Sequence, residues 1–263
     1  MDDLDTELII AAAREVGDMA LTRWPGTEGA AALRVWDKSC ATPVSEIDIA
    51  VDQRLNAILS SLAPDAGWLS EETADDRARL GKRRMWCVDP IDGTRDYVRG
   101  RTGWCVSIAL IEDGWPRFGV LYAPARDELW VGESGRGASL NGERLVASDR
   151  RSFTGARVPA ADLPKIDRDL SKVEQPNSIA LRMAMVAANR ADIVATLRWG
   201  YEWDIAAAAI IAREAGATVT DGFGQPLRFN TDRAQAFGVI ACSPYIHEAA
   251  VARLADRAKA LVG

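Results

Sequence analysis

The segment Asp89-Pro90-Ile91-Asp92-Gly93-Thr94 constrains this chain more than any other. It follows an apolar run, Met85-Trp86-Cys87-Val88, that reads as a buried strand. Proline has no N–H and a fixed φ, so Pro90 is expected to end the ladder and stiffen the turn. Asp89 and Asp92 can then point into one pocket from a strand end and a turn. Gly93 permits a positive φ or a close backbone approach. If a helix or turn starts there, the Gly93 and Thr94 N–H groups are free to bind an anion. Taken alone, the six residues also fit an ordinary Asp-Gly turn.

Carboxylates for a hard divalent cation, set beside N–H groups for a phosphate, are what metal-assisted phosphoryl chemistry needs. Further acidic residues bear on this. Glu71-Glu72 alone would be a solvated loop pair. Asp204 stands before a run of alanines, where a helix N-cap belongs. Asp48 falls in the first turn of an expected helix, where the dipole favours a carboxylate, and a place near a metal is equally open to it.

Composition narrows the partners. A formal charge of −6 over 263 residues argues against a nucleic-acid polymer. It leaves room for a small phosphate ester, because bound cations invert the local field. No apolar run approaches the ~18 residues of a membrane span, and Met1-Asp2-Asp3 lacks the basic start of a signal peptide. Cys40, Cys87, Cys105 and Cys242 show no zinc-like or redox-like spacing and read as reduced thiols of a cytoplasmic protein. The single histidine, His247, excludes a multi-histidine zinc site and would have to serve any Ser-His-Asp mechanism. It is expected at the surface.

The chain is long enough for one unit or two subdomains. Apolar positions at helical spacing mark residues 3–23, and a second helix is expected from about Ser45 to Leu62. Trp104 to Ile111 and Trp115 to Tyr122 read as strands joined at Asp113-Gly114, a hairpin signal. A third strand follows from Glu128 to Gly132, then a turn at Asn141-Gly142. This predicts an α+β half over residues 1–150, a mostly antiparallel sheet carrying two helices. After a polar, proline-interrupted stretch at 151–177, helices (Ile179–Ala188, Asp204–Ala215, Pro244–Leu261) alternate with strands (Ile193–Leu197, Val219-Thr220, Gly238–Cys242). That alternation predicts an α/β half over residues 151–263.

Asp89–Thr94 resembles the Asp-Pro-Ile-Asp-Gly-Thr signature of the inositol monophosphatase superfamily. Three more segments resemble the family's motifs in the same order. They are Lys38-Ser39 with Pro43-Val44-Ser45-Glu46-Ile47-Asp48, Leu69-Ser70-Glu71-Glu72 with serine in place of glycine, and Trp203-Asp204-Ile205-Ala206-Ala207. The resemblance implies a layered αβαβα sandwich and a phosphomonoesterase using two Mg²⁺ ions, with a third, weaker ion near Glu71. Asp89 would bridge the two ions. Glu71 and the Ile91 carbonyl would complete one site, Asp92 and Asp204 the other. Thr94, Asp48 and Glu71 would serve catalysis by an activated water, and the phosphate would rest on the Gly93 and Thr94 amides. Lithium inhibition and a homodimer are further implications.

For the substrate, Arg95-Asp96 after the core motif resembles the 3′(2′),5′-bisphosphate nucleotidases, as does the segment Leu181-Arg182-Met183-Ala184-Met185-Val186-Ala187. Asp92, Arg95, Asp96, Arg182 and Asp204 are therefore the expected substrate contacts. Three departures count against this: Ile179 stands where a serine is expected, Thr196 where an arginine is expected, although Arg198 is near, and Leu197 where an inositol-contacting glutamate is expected, which also counts against inositol phosphate. Adenosine 3′,5′-bisphosphate is the first expected substrate, inositol 1-phosphate the second, and histidinol phosphate or a sugar bisphosphate the third. Outside enzymes, an inactive phosphate-ester-binding protein is the competing reading; the presence of every expected metal ligand and of Thr94 speaks against it.

Overall fold

The computed structural model describes residues 5–26, 35–37 and 43–262, so Lys38-Ser39, Cys40 and the acidic start at Met1 lie outside the described residues. The first half contains α1 (Thr6–Leu21), a short antiparallel pair of β1 (Val35–Asp37) and β2 (Pro43–Ser45), α2 (Glu46–Leu62), β3 (Gly67–Ser70), β4 (Arg84–Asp92) and α3 (Thr94–Val98). It continues with β5 (Cys105–Glu112), β6 (Trp115–Ala123), β7 (Glu128–Glu133), β8 (Gly137–Leu140) and β9 (Glu143–Arg144). The second half contains β10 (Arg157–Pro159), β11 (Ser171–Val173), α4 (Ile179–Ala187), β12 (Ile193–Tyr201), α5 (Ala206–Glu214), β13 (Thr218–Thr220), β14 (Gln235–Cys242) and α6 (His247–Val262).

Successive residues of a strand face opposite sides of a sheet, and here both sides are apolar. Strands β3 to β9 form one sheet in sequence order, antiparallel except for the β3–β4 pair. Trp86, Val88, Ile108 and Val120 pack on one side against Ile9, Val16, Val51 and Leu55 of α1 and α2. Met85, Cys87, Ala109 and Leu121 pack on the other side against α4 and α5. The far side of α4 and α5 meets Val194, Val219 and Val239 of a second sheet, ordered β12-β14-β13. Ile193, Ile240 and Cys242 on the outer face of that sheet cover Ala250 and Leu254 of α6. The layers therefore run helix, sheet, helix, sheet, helix.

The alanines of α5 suit its place between two sheets. A Cβ added at Gly119 of β6 would lie 2.7 Å from the Ala207 carbonyl oxygen. Helix and strand approach so closely that β6 has no room for a side chain there. The turns follow their sequence signals: Asp113 and Gly114 both take positive φ, as do Asn141 and Gly142, the conformations of a two-residue hairpin loop. One feature of the second half differs from what alternation implies. All three of its principal strands pair antiparallel, because β14 returns between β12 and β13. The proline-interrupted stretch contributes only the short parallel pair of β10 and β11.

Candidate active site

The site begins where β4 meets β5. Their register runs through Asp89 opposite Ser107, then shifts before Asp92 opposite Cys105. Pro90 cannot donate to a ladder, so it occupies the irregular step. The ladder resumes at Asp92, which corrects the expectation that the proline ends it. Asp89 Oδ1 accepts a bond from the Ile91 N–H at 3.0 Å, fixing the carboxylate within its own turn. Gly93 follows with φ 96°. A Cβ there would lie 2.6 Å from the Gly103 carbonyl oxygen and 3.0 Å from the Ser178 nitrogen, so only glycine fits. The Gly93 carbonyl accepts from the Asp96 and Tyr97 N–H groups and opens α3. The Thr94 hydroxyl donates to the Ile91 carbonyl at 2.9 Å and stands 3.5 Å from Asp48 Oδ1.

Glu71, Asp89, Ile91, Asp92, Gly93, Thr94 and Asp204 line one cavity of about 250 Å³. Three separate chain segments are needed to bring them together. Glu71 follows the end of β3, and its N–H bonds to the Val88 carbonyl at 3.3 Å. Its loop is held from α2 by Asp52, which accepts from Ser70 at 2.5 Å and from Thr73 at 2.6 Å. Asp48 sits one turn earlier on the same helix and is buried. Asp92 Oδ2 accepts from the Ser178 hydroxyl at 2.5 Å and the Ala180 N–H at 2.8 Å. Ser178 in turn caps α4 by accepting from Leu181. Asp204 does not cap α5: Ile205 occupies that position without a side-chain bond, and the Asp204 carboxylate accepts from the Tyr201 N–H at 3.3 Å.

These carboxylates are poorly compatible with one another while ionised. Burial pushes Asp89 well above the usual carboxylate range, and Glu71, Asp92 and Asp204 push it further. Burial raises Asp92 to about 6, against the pull of its bonds from Ser178 and Ala180. Burial, then the Asp92 and Glu71 charges, raise Asp204 to about 8. Among the described residues these groups are not drawn into a closed metal-binding cluster; they surround a space. The carboxylates and the Ile91 carbonyl offer oxygen donors, the set a hard cation such as Mg²⁺ takes, and a cation there would remove the mutual repulsion. The residues present thus fit the ions the sequence implied.

The expected substrate contacts divide. Arg95 lines the cavity beside Asp92 and Asp204. Asp96 does not: its Oδ2 accepts from the Asn177 N–H at 3.0 Å. Arg182 does not either; its guanidinium donates to the Pro176 carbonyl at 2.6 Å and the Asn177 carbonyl at 2.9 Å, and it borders a separate hollow with Leu170 and Leu254. Both side chains hold the turn that delivers Ser178, and neither lines the cavity. His247 is half-buried rather than at the surface and bonds to Thr220 at 2.9 Å, outside the cavity.

Sequence reasoning missed Ser178, Asp52, Trp199 and Tyr201, and noted Arg198 only as lying near an expected arginine. Ser178 had a readable signal, a serine directly before an apolar helical run. The link from that cap to Asp92 spans 86 residues and had no signal. Asp52 looked like one more polar helix position. Arg198, Trp199 and Tyr201 line the cavity because β12 runs on to Tyr201, beyond its expected end at Leu197.

The molecule is similar to known proteins along its whole length. The solved structure of the Thermotoga maritima IMPase superposes with a TM-score of 0.82 at 29% identity, covering 100% of each chain. A fructose-1,6-bisphosphatase/inositol-1-monophosphatase of Thermotoga maritima is 33% identical over 86% of this chain and 87% of its own. The histidinol-phosphatase of Mycobacterium tuberculosis is 34% identical over 84% and 90%. The Nus factor SuhB of Xylella fastidiosa is 33% identical over 81% and 80%. The inositol monophosphatase family model matches residues 2–260. With carboxylates, Gly93 and Thr94 gathered around one cavity of this fold, the chain belongs to the inositol monophosphatase family and is a phosphatase.

Proposed function

We infer that this phosphatase is a Mg²⁺-dependent hydrolase of a small soluble phosphate monoester, with adenosine 3′,5′-bisphosphate as its first substrate. The observation that carries the reading is the set of carboxylates, buried Asp89 and Asp92 with half-buried Asp204, raised by desolvation and by one another around a cavity that Glu71 also lines. Glu71, Asp89, Asp92, Asp204 and the Ile91 carbonyl would hold the metal. Bound Mg²⁺ supplies charge neutralisation at the phosphoryl oxygens and makes water a better nucleophile at neutral pH.

The chain's own residues do the rest. The Gly93 and Thr94 N–H groups, at the open end of α3, seat the phosphate. The Thr94 hydroxyl orients the attacking water, and buried Asp48, 3.5 Å from that hydroxyl, receives the proton. Catalysis is mostly positioning and charge neutralisation, with no covalent enzyme intermediate. Preference for a bisphosphate now rests on Arg95 and Arg198, which flank the acidic floor, since Asp96 and Arg182 are used elsewhere. Inositol 1-phosphate is the second reading, favoured by the relatives that act as inositol monophosphatases. A cytoplasmic setting is supported by Cys87, Cys105 and Cys242, all buried free thiols.

The test is phosphate release in Mg²⁺ from adenosine 3′,5′-bisphosphate, inositol 1-phosphate, histidinol phosphate and fructose 1,6-bisphosphate, each with and without lithium. Lithium-sensitive release led by the nucleotide is expected. Release led by inositol 1-phosphate would replace the nucleotide assignment, and binding without release would replace the enzyme with a phosphate-ester binder.

A further inference from the structure

Trp199 and Tyr201 line the same cavity as the carboxylates while remaining 50% and 44% exposed. Exposed rings that border a cavity point to a use beyond packing. The strand explains their position. The pairing of β12 with β14 shifts register between Thr196 and Trp199, and such an irregularity re-aims the side chains beyond it.

Both rings are braced from behind. Trp199 meets Phe237 edge-on at 5.6 Å, and Phe237 stacks on Phe223 at 5.2 Å. Tyr201 lies flat on Trp203, 4.3 Å away and within 7° of parallel, and Trp203 packs against the core next to Asp204. Rings fixed in this way lose little freedom when a ligand stacks on them. The same rim carries the exposed guanidinium groups of Arg95 and Arg198. Neither guanidinium has a hydrogen bond or ion pair among the described residues, so the rim is cationic where the floor is anionic.

We propose that Trp199 and Tyr201 form a stacking surface for a flat aromatic ring on the alcohol portion of the ester, with Arg95 and Arg198 receiving a second anionic group. That combination is the chemistry of a nucleoside bisphosphate; a polyol phosphate offers no π-face to the rings. The inference rests on the phosphatase reading and assigns its specificity to residues of the rim.

The experiment compares kcat/KM for adenosine 3′,5′-bisphosphate and for ringless glycerol 2-phosphate in wild type, Trp199→Ala, Trp199→Phe and Tyr201→Ala. The nucleotide-to-glycerol ratio should fall about tenfold or more in Trp199→Ala, the scale of one lost base–aromatic stack. Phenylalanine should restore most of it. An unchanged ratio overturns the inference, and so does an equal loss on both esters with a change in oligomeric state, which would make this face a contact between copies. A second readout does not need turnover. Calorimetry with adenosine 5′-monophosphate and ribose 5-phosphate isolates the base, which should tighten binding to wild type and lose that effect in Trp199→Ala. Equal affinities for wild type overturn the stacking surface. Tighter binding of the base-bearing ligand with no hydrolysis of any ester would sustain the surface and reject the phosphatase reading.

Discussion

Asp89 and Asp92 stand on a central strand buried on both faces, while Arg95, Arg198, Trp199 and Tyr201 stand on an exposed rim. The floor is over-determined. Asp89 is held by its own turn, Asp92 by Ser178 and Ala180, and the Glu71 loop by Asp52. The rim has no such frame around its charges; its rings lean on one another at the edge of a small sheet. The difference separates two tasks. Charges that must sit close together against their own repulsion need a rigid, buried support. Groups that choose among substrates can stand at an edge, where a changed side chain leaves the core intact.

Variants can break that comparison. The largest effect should come from Asp89→Asn, which removes a central charge of the floor. Turnover should fall by roughly 10³-fold or more, with the circular dichroism spectrum and cooperative melting retained. Loss of folding instead would make Asp89 a structural residue. Thr94→Ala should slow kcat by about 10²-fold while Mg²⁺ affinity measured by calorimetry stays close to wild type. Lost metal affinity would contradict its role with the water. Ser178→Ala removes the 2.5 Å bond that orients Asp92 and should weaken Mg²⁺ binding by about 10-fold, as loss of a supporting bond to a metal ligand does. Unchanged affinity would show that the Ala180 N–H suffices.

The pH dependence of stability sharpens the same contrast. Asp92 at about 6 and Asp204 at about 8 bind protons more tightly in the folded protein than in the unfolded chain. Their contribution is therefore full below roughly pH 4 and is lost as pH rises through those two values. Metal-free protein should melt at progressively lower temperature from roughly pH 5 to pH 8, and Mg²⁺ should raise the melting temperature most at the upper end. A Mg²⁺ effect independent of pH would mean that the floor carboxylates are not its ligands.

How much of this was legible in the sequence follows the same division. Asp89, Asp92, Gly93 and Thr94 were readable because strand, proline and glycine fix their geometry within six residues. Apolar strands and hairpin signals marked the antiparallel first sheet and the family resemblance implied the layers, yet the antiparallel second sheet was not readable, since strand order depends on where β14 returns. Asp96 and Arg182 looked like substrate contacts because charge in a motif carries no direction. Only the fold shows that both bond to the backbone of residues 176 to 177. Trp199 and Tyr201 were unreadable for a similar reason: a register shift in β12, invisible in one strand alone, places them at the cavity.

The central claim is that the floor carboxylates work through a bound cation. The most direct measurement is phosphate release by the wild-type protein, first stripped with a chelator, as Mg²⁺ is titrated back in parallel with calorimetry. The account predicts no release without metal and saturable recovery that follows the calorimetric binding curve. Release that persists without metal, or Mg²⁺ binding with no phosphate released from any ester, would contradict it.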